Sequence, residues 1–165
     1  GKTRLALRAG AEAIDRFQDG SFFVDLSTVR DSESVLAAVA DAIGLSDTGE
    51  KPLFDQLTGR LTEQRVLLLL DNFERVVMAA SVVATLLATC PRLTVLVTSR
   101  VALNVSGEQQ FPISPLEIPS PERIGSATEV ETYEAVRLFC ARARTARPPA
   151  RSRGHGRTAR APGSG

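Results

Sequence analysis

The chain has 165 residues, of which 43% are hydrophobic and 24% are charged, so it holds enough apolar material for one globular domain with a sizeable core. Its apolar stretches are all far shorter than the roughly 20 residues of a membrane-spanning helix, and its first residues lack a signal-peptide pattern. Cys90 and Cys140 lie at no metal-binding spacing and are expected to be reduced thiols. We therefore expect a cytoplasmic protein without a membrane partner.

The formal net charge of +1 is unevenly distributed along the chain. Residues 147–165 contain five arginines and no acidic residue, so residues 1–146 carry a net charge of about −4. Overall charge therefore does not indicate nucleic-acid binding by the main part of the chain. The 147–165 segment has no aliphatic residue larger than alanine, and we expect it to be disordered because burial cannot offset the entropy of ordering it.

Short apolar runs alternate with longer amphipathic segments. The runs 22–26, 66–70 and 93–97 are typical of buried strands, and 109–113 is a weaker candidate because Pro112 cannot donate to a sheet ladder. The amphipathic segments predict helices over 3–17, 32–43, 52–61, 74–90 and 131–144. This alternation predicts an α/β fold in which parallel strands form a sheet with helices on both faces.

Helix faces and helix ends can also be predicted. In the first helix, apolar residues at three- and four-residue steps predict the face that packs on the sheet, namely Leu7, Ala11, Ile14 and Phe17. Gly10 lies beside them and would permit a close approach to the sheet. In the second helix, Asp31 or Ser32 is expected to cap the start and Gly44 to end it. In the last helix, the predicted inward residues are Val136, Phe139, Cys140 and Ala143.

The run 66–70 is followed directly by an acid, Asp71. An uninterrupted aliphatic run fits a parallel strand buried on both faces, and an acid after it would lie at the carboxyl edge, where open α/β sheets bind ligands. Asp71 is therefore a candidate to hold Mg²⁺ through water, with the alternative that it caps a helix beginning near Glu74. Asp25 also ends a strand, but there a capping or turn role is favoured.

Gly1, Lys2 and Thr3 match the last three positions of the phosphate-binding motif G-x-x-x-x-G-K-[ST]. In that motif backbone amides and the lysine receive phosphates, and the Ser or Thr hydroxyl binds Mg²⁺. The alternative is that the tripeptide is an exposed helix start. Arg100 follows the 93–97 strand and is a candidate sensor of a terminal phosphate, with a solvated surface charge as the alternative.

In these segments the sequence resembles the STAND class of P-loop ATPases, specifically the NB-ARC-like nucleotide-binding domain of large bacterial transcriptional regulators. The matching segments follow the expected order up to about residue 144, and they are 1–6, 23–26, 67–74, 95–100, 106–108 and 134–139. As a series they are far more specific than any single motif.

The resemblance implies a three-layer P-loop NTPase sheet and a nucleotide-controlled switch between sensor and output modules. It implies ATP or ADP and Mg²⁺ as cofactors, with Asp71 as the Walker B acid and Thr3 and Asp71 at the metal. The residues that it implies in nucleotide binding are Gly1, Lys2, Thr3, Arg4 and Arg100.

The resemblance also bears on hydrolysis. Asn72 stands where many relatives place a second acid that activates water, which implies slow or absent turnover. Asp71 and, as a substitute base, Glu74 are the candidate catalytic residues.

We expect four segments: a partial P-loop nucleotide-binding domain at 1–118, a linker at 119–130, the first helix of a following helical region at 131–145, and a disordered tail at 146–165. The first domain is called partial because the motif's first strand and most of the phosphate loop would precede Gly1, so we expect weak ATP binding by the chain alone. The resemblance ends abruptly near Arg147, which suggests a truncated or frame-shifted gene fragment.

Two functions from different classes are compatible with the sequence. The first is an ATP- or ADP-binding regulatory switch domain of a cytosolic signalling or transcriptional regulator. Its partners would be nucleotide and the regulator's other domains, with DNA reached only through an output domain and with nucleotide-dependent oligomerisation expected. The alternative is a non-catalytic protein-interaction scaffold with a basic nucleic-acid-binding tail.

Overall fold

The computed structural model describes residues 1–119 and 130–145 of the chain. The predicted tail at 146–165 lies outside them, as does most of the predicted linker, so both stay predictions. The chain divides into two compact units, and the first is Gly1–Ile113. The predicted domain boundary at residue 118 likewise stays a prediction.

The first unit is built on a sheet of three parallel strands. They are β1 (Ser21–Asp25), β2 (Leu67–Asp71) and β3 (Thr94–Val97), in the spatial order β1-β2-β3. Each crossover between them contains at least one helix, as parallel neighbours require. The α/β fold with parallel strands is confirmed. In the register of β1 on β2, Asp25 lies opposite Asp71, so the two acids meet at one edge of the sheet.

Burial differs between the central strand and its neighbours. Every residue of β2 is buried, as predicted from its aliphatic run. The prediction that the other two strands are also buried is wrong: Phe23 of β1 is 43% exposed, and β3 is exposed at Thr94 and only partly buried beyond it. Both strands are edges of the described sheet, where the covering helices reach less of the surface than they do over β2.

Three helices build the main core against one face of the sheet. They are α2 (Ser32–Ala42), α3 (Leu53–Leu61) and α4 (Ala80–Thr89). The core combines their inward residues with alternate residues of β2, and its members include Val35, Val39, Leu57, Leu61, Val66, Leu68, Leu70, Val83 and Leu86. Burying an aliphatic side chain of this kind stabilises the fold by about 1.5–3 kcal/mol.

The ends of α2 are set by the chemistry of two residues. The Asp31 carboxylate accepts a hydrogen bond from the Ser34 amide at 2.7 Å, so Asp31 rather than Ser32 is the cap. The same bond lowers the pKa of Asp31. Gly44 adopts a left-handed conformation with φ +70°, which ends the helix as predicted.

The opposite face of the sheet is covered by α1 (Lys2–Ala13). Successive side chains of a strand point to opposite faces, so Leu69 points away from the main core. A Cβ atom on Gly10 would lie 2.8 Å from Cδ2 of Leu69. The glycine therefore permits the close approach that the sequence predicted.

The predicted inward face of α1 is wrong. Leu7 is 43% and Ile14 52% exposed, Ala11 is exposed, and only Phe17 is half-buried. The buried residues are instead Ala6 and Gly10. The helix lies so near the sheet that small residues fit beneath it and large aliphatic ones do not. It also ends at Ala13, with a 3₁₀ turn over Ile14–Arg16.

The long helix predicted over 74–90 is broken at its start. Two 3₁₀ turns, Phe73–Arg75 and Val77–Ala79, precede α4. Asn72 has left-handed backbone angles (φ 64°, ψ 35°), which turns the chain sharply as it leaves β2. Phe73 is then fully buried in the core, so packing of its ring replaces the regular helix that periodicity predicted.

The weaker strand prediction, 109–113, is also wrong. These residues form no strand, and Phe111 is 82% exposed. Pro112 removes one amide donor, and the remaining residues gain no ladder partner among the described residues. The segment just before it is held differently, because the Glu108 carboxylate accepts the amides of Leu103 and Asn104 at 3.1 and 2.7 Å.

The second compact unit is Ser114–Gly165, and its described part contains one further helix, α5 (Glu134–Thr145). Val136 and Cys140 are half-buried as expected, whereas the prediction that Phe139 and Ala143 lie inward is wrong: Phe139 is 72% exposed and Ala143 is exposed. Among the described helices of the chain, none is long and apolar enough to cross a membrane.

Candidate hydrogen-bonded site at the carboxyl edge of the sheet

The Asp71 carboxylate is the centre of a hydrogen-bonded cluster and is only 5% exposed. The Thr3 hydroxyl lies 2.9 Å from Oδ1 and 3.0 Å from Oδ2. The Thr98 hydroxyl donates to Oδ1, and the Asn72 side-chain amide donates to Oδ2 at 3.1 Å. A carboxylate has about four acceptor positions, so these donors account for most of its capacity. They fix its orientation, and the alternative that Asp71 caps a helix is wrong.

The first turn of α1 brings the predicted phosphate-binding residues to this edge. Gly1 is the N-cap and makes no side-chain capping bond, and no acid lies in the first turn. The free amides and the positive end of the helix dipole are therefore available to an anion. Lys2 is half-buried and Arg4 is exposed, and both add positive charge at this end.

Asp25 and Asn72 form the second side of the cluster. The side-chain amide of Asn72 donates to Oδ1 of Asp25 at 3.0 Å as well as to Asp71, so it bridges the two neighbouring acids. The Ser27 amide and hydroxyl each donate to Asp25 at 2.9 Å. The hydrogen bond from the Ser27 backbone amide makes the largest contribution to lowering the pKa of Asp25. The predicted turn role of Asp25 is confirmed, and its link to Asn72 was missed.

The two remaining predicted residues, Arg100 and Glu74, form a pair. Nε of Arg100 lies 3.3 Å from Oε1 of Glu74, and their side chains are 79% and 23% exposed. Oε2 of Glu74 is buried and has no hydrogen-bond partner among the described residues. An ion pair this exposed contributes little to stability, about 0–1 kcal/mol. Arg100 is therefore a mostly exposed side chain that is paired with Glu74.

Thr98 is the residue of this cluster that sequence reasoning missed. It follows β3 directly, as Asp71 ends β2, and it is 7% exposed. A polar residue at the carboxyl end of a strand next to the Asp71 strand was the available signal. The charge of Arg100, two residues further on, is the stronger signal for phosphate binding, whereas a threonine hydroxyl has many ordinary structural roles.

The cluster fits a magnesium ion that brings further ligands with it. The Thr3 hydroxyl has one proton, which it gives to Asp71, so its oxygen keeps lone pairs for a cation. No group of three or more His, Cys, Asp or Glu residues in the described part of the chain is placed to hold a metal. Mg²⁺ is usually bound in this way, by one or two protein oxygens together with waters and substrate phosphates.

A shallow, open depression lies beside the cluster on the β1 side. It is lined by Ser27, Thr28, Val29, Arg30 and Arg75. Lys2, Thr3 and Asp71 do not line it, so the features that mark the site are its hydrogen bonds and its charge.

The chain is similar to mycobacterial proteins. It is 36% identical over 148 residues to an uncharacterized protein of Mycobacterium tuberculosis, a match that covers 89% of this chain and 34% of that protein. It is 36% identical over 149 residues to a second protein of that organism, whose name assigns it provisionally to the HTH-type transcriptional regulators, with 90% of this chain and 15% of that protein covered. The chain thus spans about a third of the first relative and a smaller part of the second.

The chain was also compared with protein-family models and with solved structures. No family model matches the chain. Among solved structures, the Aeropyrum pernix ORC2 protein in its ADPNP-ADP complexes is 14% identical, with a TM-score of 0.39 and with 59% of this chain and 29% of that chain covered.

Proposed function

We propose that residues 1–118 are part of a P-loop nucleotide-binding domain of the STAND, NB-ARC-like type, which acts as an ATP- or ADP-dependent regulatory switch. The observation that carries this proposal is the hydrogen bond of the Thr3 hydroxyl to the Asp71 carboxylate across 68 positions of sequence. In the sequence, residue type and spacing make Thr3 and Asp71 separate candidates, and the family resemblance implies that both lie at the metal. Their contact has the chemistry that a nucleotide-bound Mg²⁺ needs.

Each residue of the proposed site has a physical role. The amides at the start of α1, with Gly1, Lys2 and Arg4, receive phosphate oxygens through hydrogen bonds and positive charge. Thr3 offers its hydroxyl oxygen to Mg²⁺, and Asp71 holds that hydroxyl and the ion's water ligands in place. When bound, the Mg²⁺–nucleotide adds the remaining oxygen ligands and the negative charge that this edge attracts.

Slow or absent hydrolysis follows from the groups around Asp71. Asn72 cannot accept a proton from water, and its amide is already engaged by Asp25 and Asp71. Glu74, the substitute base, has one oxygen on Arg100. Both arrangements favour holding a nucleotide over cleaving it.

The regulatory part of the proposal is supported by the relatives. They are longer than this chain, and one name refers to HTH-type transcriptional regulators. We infer that the nucleotide-binding domain acts on further domains of a parent regulator, through a helical region that begins at 131–145, and that any contact with DNA is made by an output domain. Nucleotide-dependent oligomerisation and a cytoplasmic location belong to this same proposal.

The test is an equilibrium titration of ATP in Mg²⁺ and in EDTA, using the full-length gene product that contains this chain. Lys2→Ala should weaken binding in both buffers by roughly 10- to 100-fold, because it removes a charge-assisted contact. Asp71→Ala should weaken only the Mg²⁺-dependent part. Lys51→Ala is the matched control, since Lys51 lies exposed in a loop. Equal affinities in all four proteins would contradict the proposal.

A further inference from the structure

Thr98 is fixed at the exit of β3 by its main chain. Its amide donates to the Leu70 carbonyl at 2.9 Å, and its carbonyl accepts the Phe73 amide at 3.0 Å. These bonds join the end of β3 to the β2 chain on both sides of Asp71. The position of the Thr98 side chain relative to Asp71 is therefore set by the backbone of the sheet and not by a mobile loop.

The direction of the Thr98 hydroxyl is fixed as well. Its oxygen accepts the backbone amide of Asn72 at 3.2 Å, which leaves its single proton to point toward Oδ1 of Asp71. A β-branched side chain has a restricted χ1 angle, so the hydroxyl loses little further freedom by making both bonds. Thr98 thus presents one donor to Oδ1 of Asp71, whereas the Asn72 side-chain amide donates to Oδ2.

We propose that Thr98 is a positioning residue that holds the Asp71 carboxylate toward Thr3 and thereby sets how strongly this pair binds Mg²⁺. The inference rests on the proposed function in so far as it concerns the metal. Partners that orient a metal ligand typically contribute 10- to 100-fold to metal affinity. Thr98 would act through Asp71, to which its hydroxyl proton is directed.

The test separates this role from simple packing through paired substitutions. Thr98→Val keeps the shape and removes the hydroxyl, whereas Thr98→Ser keeps the hydroxyl and removes a methyl group. Thr94→Val makes the same chemical change at the other, exposed end of the same strand and is the matched control. If Thr98→Val does not fold, Thr98→Ala replaces it, because Ala and Ser differ only in the hydroxyl.

The first measurement needs no nucleotide. In the 165-residue chain, the carboxyl ¹³C resonance of Asp71 is identified by its loss in Asp71→Asn. We expect it to shift in Thr98→Val, to stay at the parental position in Thr98→Ser, and to be unaffected by Thr94→Val. An unshifted resonance in Thr98→Val, or an equal shift in Thr98→Ser, would overturn the inference.

The second measurement is the ratio of ATP affinities in Mg²⁺ and in EDTA. It uses the same substitutions in the full-length gene product. Thr98→Val should reduce this ratio by roughly 10-fold or more while leaving the affinity in EDTA unchanged, and Thr98→Ser should restore it. A ratio that Thr98→Val leaves at the parental value would overturn the metal part of the inference. If the full-length gene product with the parental sequence binds no MgATP, the proposed function fails, and the resonance alone decides whether Thr98 positions Asp71.

Discussion

The two faces of the sheet are packed in different ways. On one face, Leu68 and Leu70 lie in a core filled by large side chains from three helices. On the other, Leu69 lies under α1, which approaches through Ala6 and Gly10. The first face stabilises the unit through buried area, and the second brings the first turn of α1 to Asp71. Close approach and the proposed site are thus linked on the α1 face.

The largest difference should appear when the same residue type is truncated on each face. Leu68→Ala should lower the free energy of unfolding by about 2–5 kcal/mol, because it leaves a cavity among large neighbours. Leu69→Ala should fall at the lower end of that range, since α1 can settle into the space. Urea denaturation of both variants measures the difference. A larger loss for Leu69→Ala would show that the α1 face carries the core.

The second prediction concerns two helical glycines. Gly59→Ala should stabilise the unit by roughly 0.5–1 kcal/mol, because Gly59 is exposed in α3 with open space around it. Gly10→Ala gains the same helix propensity but overpacks Leu69, at a cost of about 1–3 kcal/mol, so it should destabilise.

The control for this pair is a double-mutant cycle. Leu69→Ala removes the side chain that a Cβ on Gly10 would meet, so in that background Gly10→Ala should become stabilising. If Gly10→Ala stabilises the parent as much as Gly59→Ala does, α1 does not lie as close to the sheet as 2.8 Å from that Cβ position implies.

The smallest expected effect is on the open part of the α1 face. Phe23 is 43% exposed, so Phe23→Thr should change the free energy of unfolding by no more than about 0.5 kcal/mol. Phe22, one residue earlier, packs against the main core, and Phe22→Thr should be clearly more costly. Thermal melts of the two variants provide the comparison, which fails if both cost the same.

The extent to which sequence predicted this structure follows the same division. The β2 strand and the helices α2 and α3 were predicted because large aliphatic residues at regular spacing must be buried somewhere. The face of α1 was not, because close packing selected small residues, whose hydrophobicity is a weak signal. Spacing along the chain also cannot reveal that Leu7 and Ile14 remain uncovered among the described residues.

The sequence predicted the residues proposed to bind phosphate and Mg²⁺, but not the residues that hold them in position. Lys2 and Thr3 belong to a motif whose chemistry can be read from residue type, and Asp71 lies at the end of a buried strand, where α/β sheets bind ligands. The contact of Thr98 with Asp71 depends on the register between strands, and the bridge made by the Asn72 side chain depends on the left-handed conformation of that residue. Hydrophobic periodicity predicts neither feature. The pairing of Arg100 with Glu74 likewise required the three-dimensional arrangement of two turns.

The central claim, that Thr3 and Asp71 together receive a nucleotide-bound Mg²⁺, is tested most directly by replacing the Thr3 hydroxyl. In equilibrium titrations of the full-length gene product with ATP, Thr3→Val should lose nearly all of the difference between the ATP affinities in Mg²⁺ and in EDTA. The substitution removes the only oxygen that the side chain offers to the ion. Thr3→Ser should keep that difference. A Thr3→Val protein whose ATP affinity still depends on Mg²⁺ as strongly as the parent's would contradict the claim.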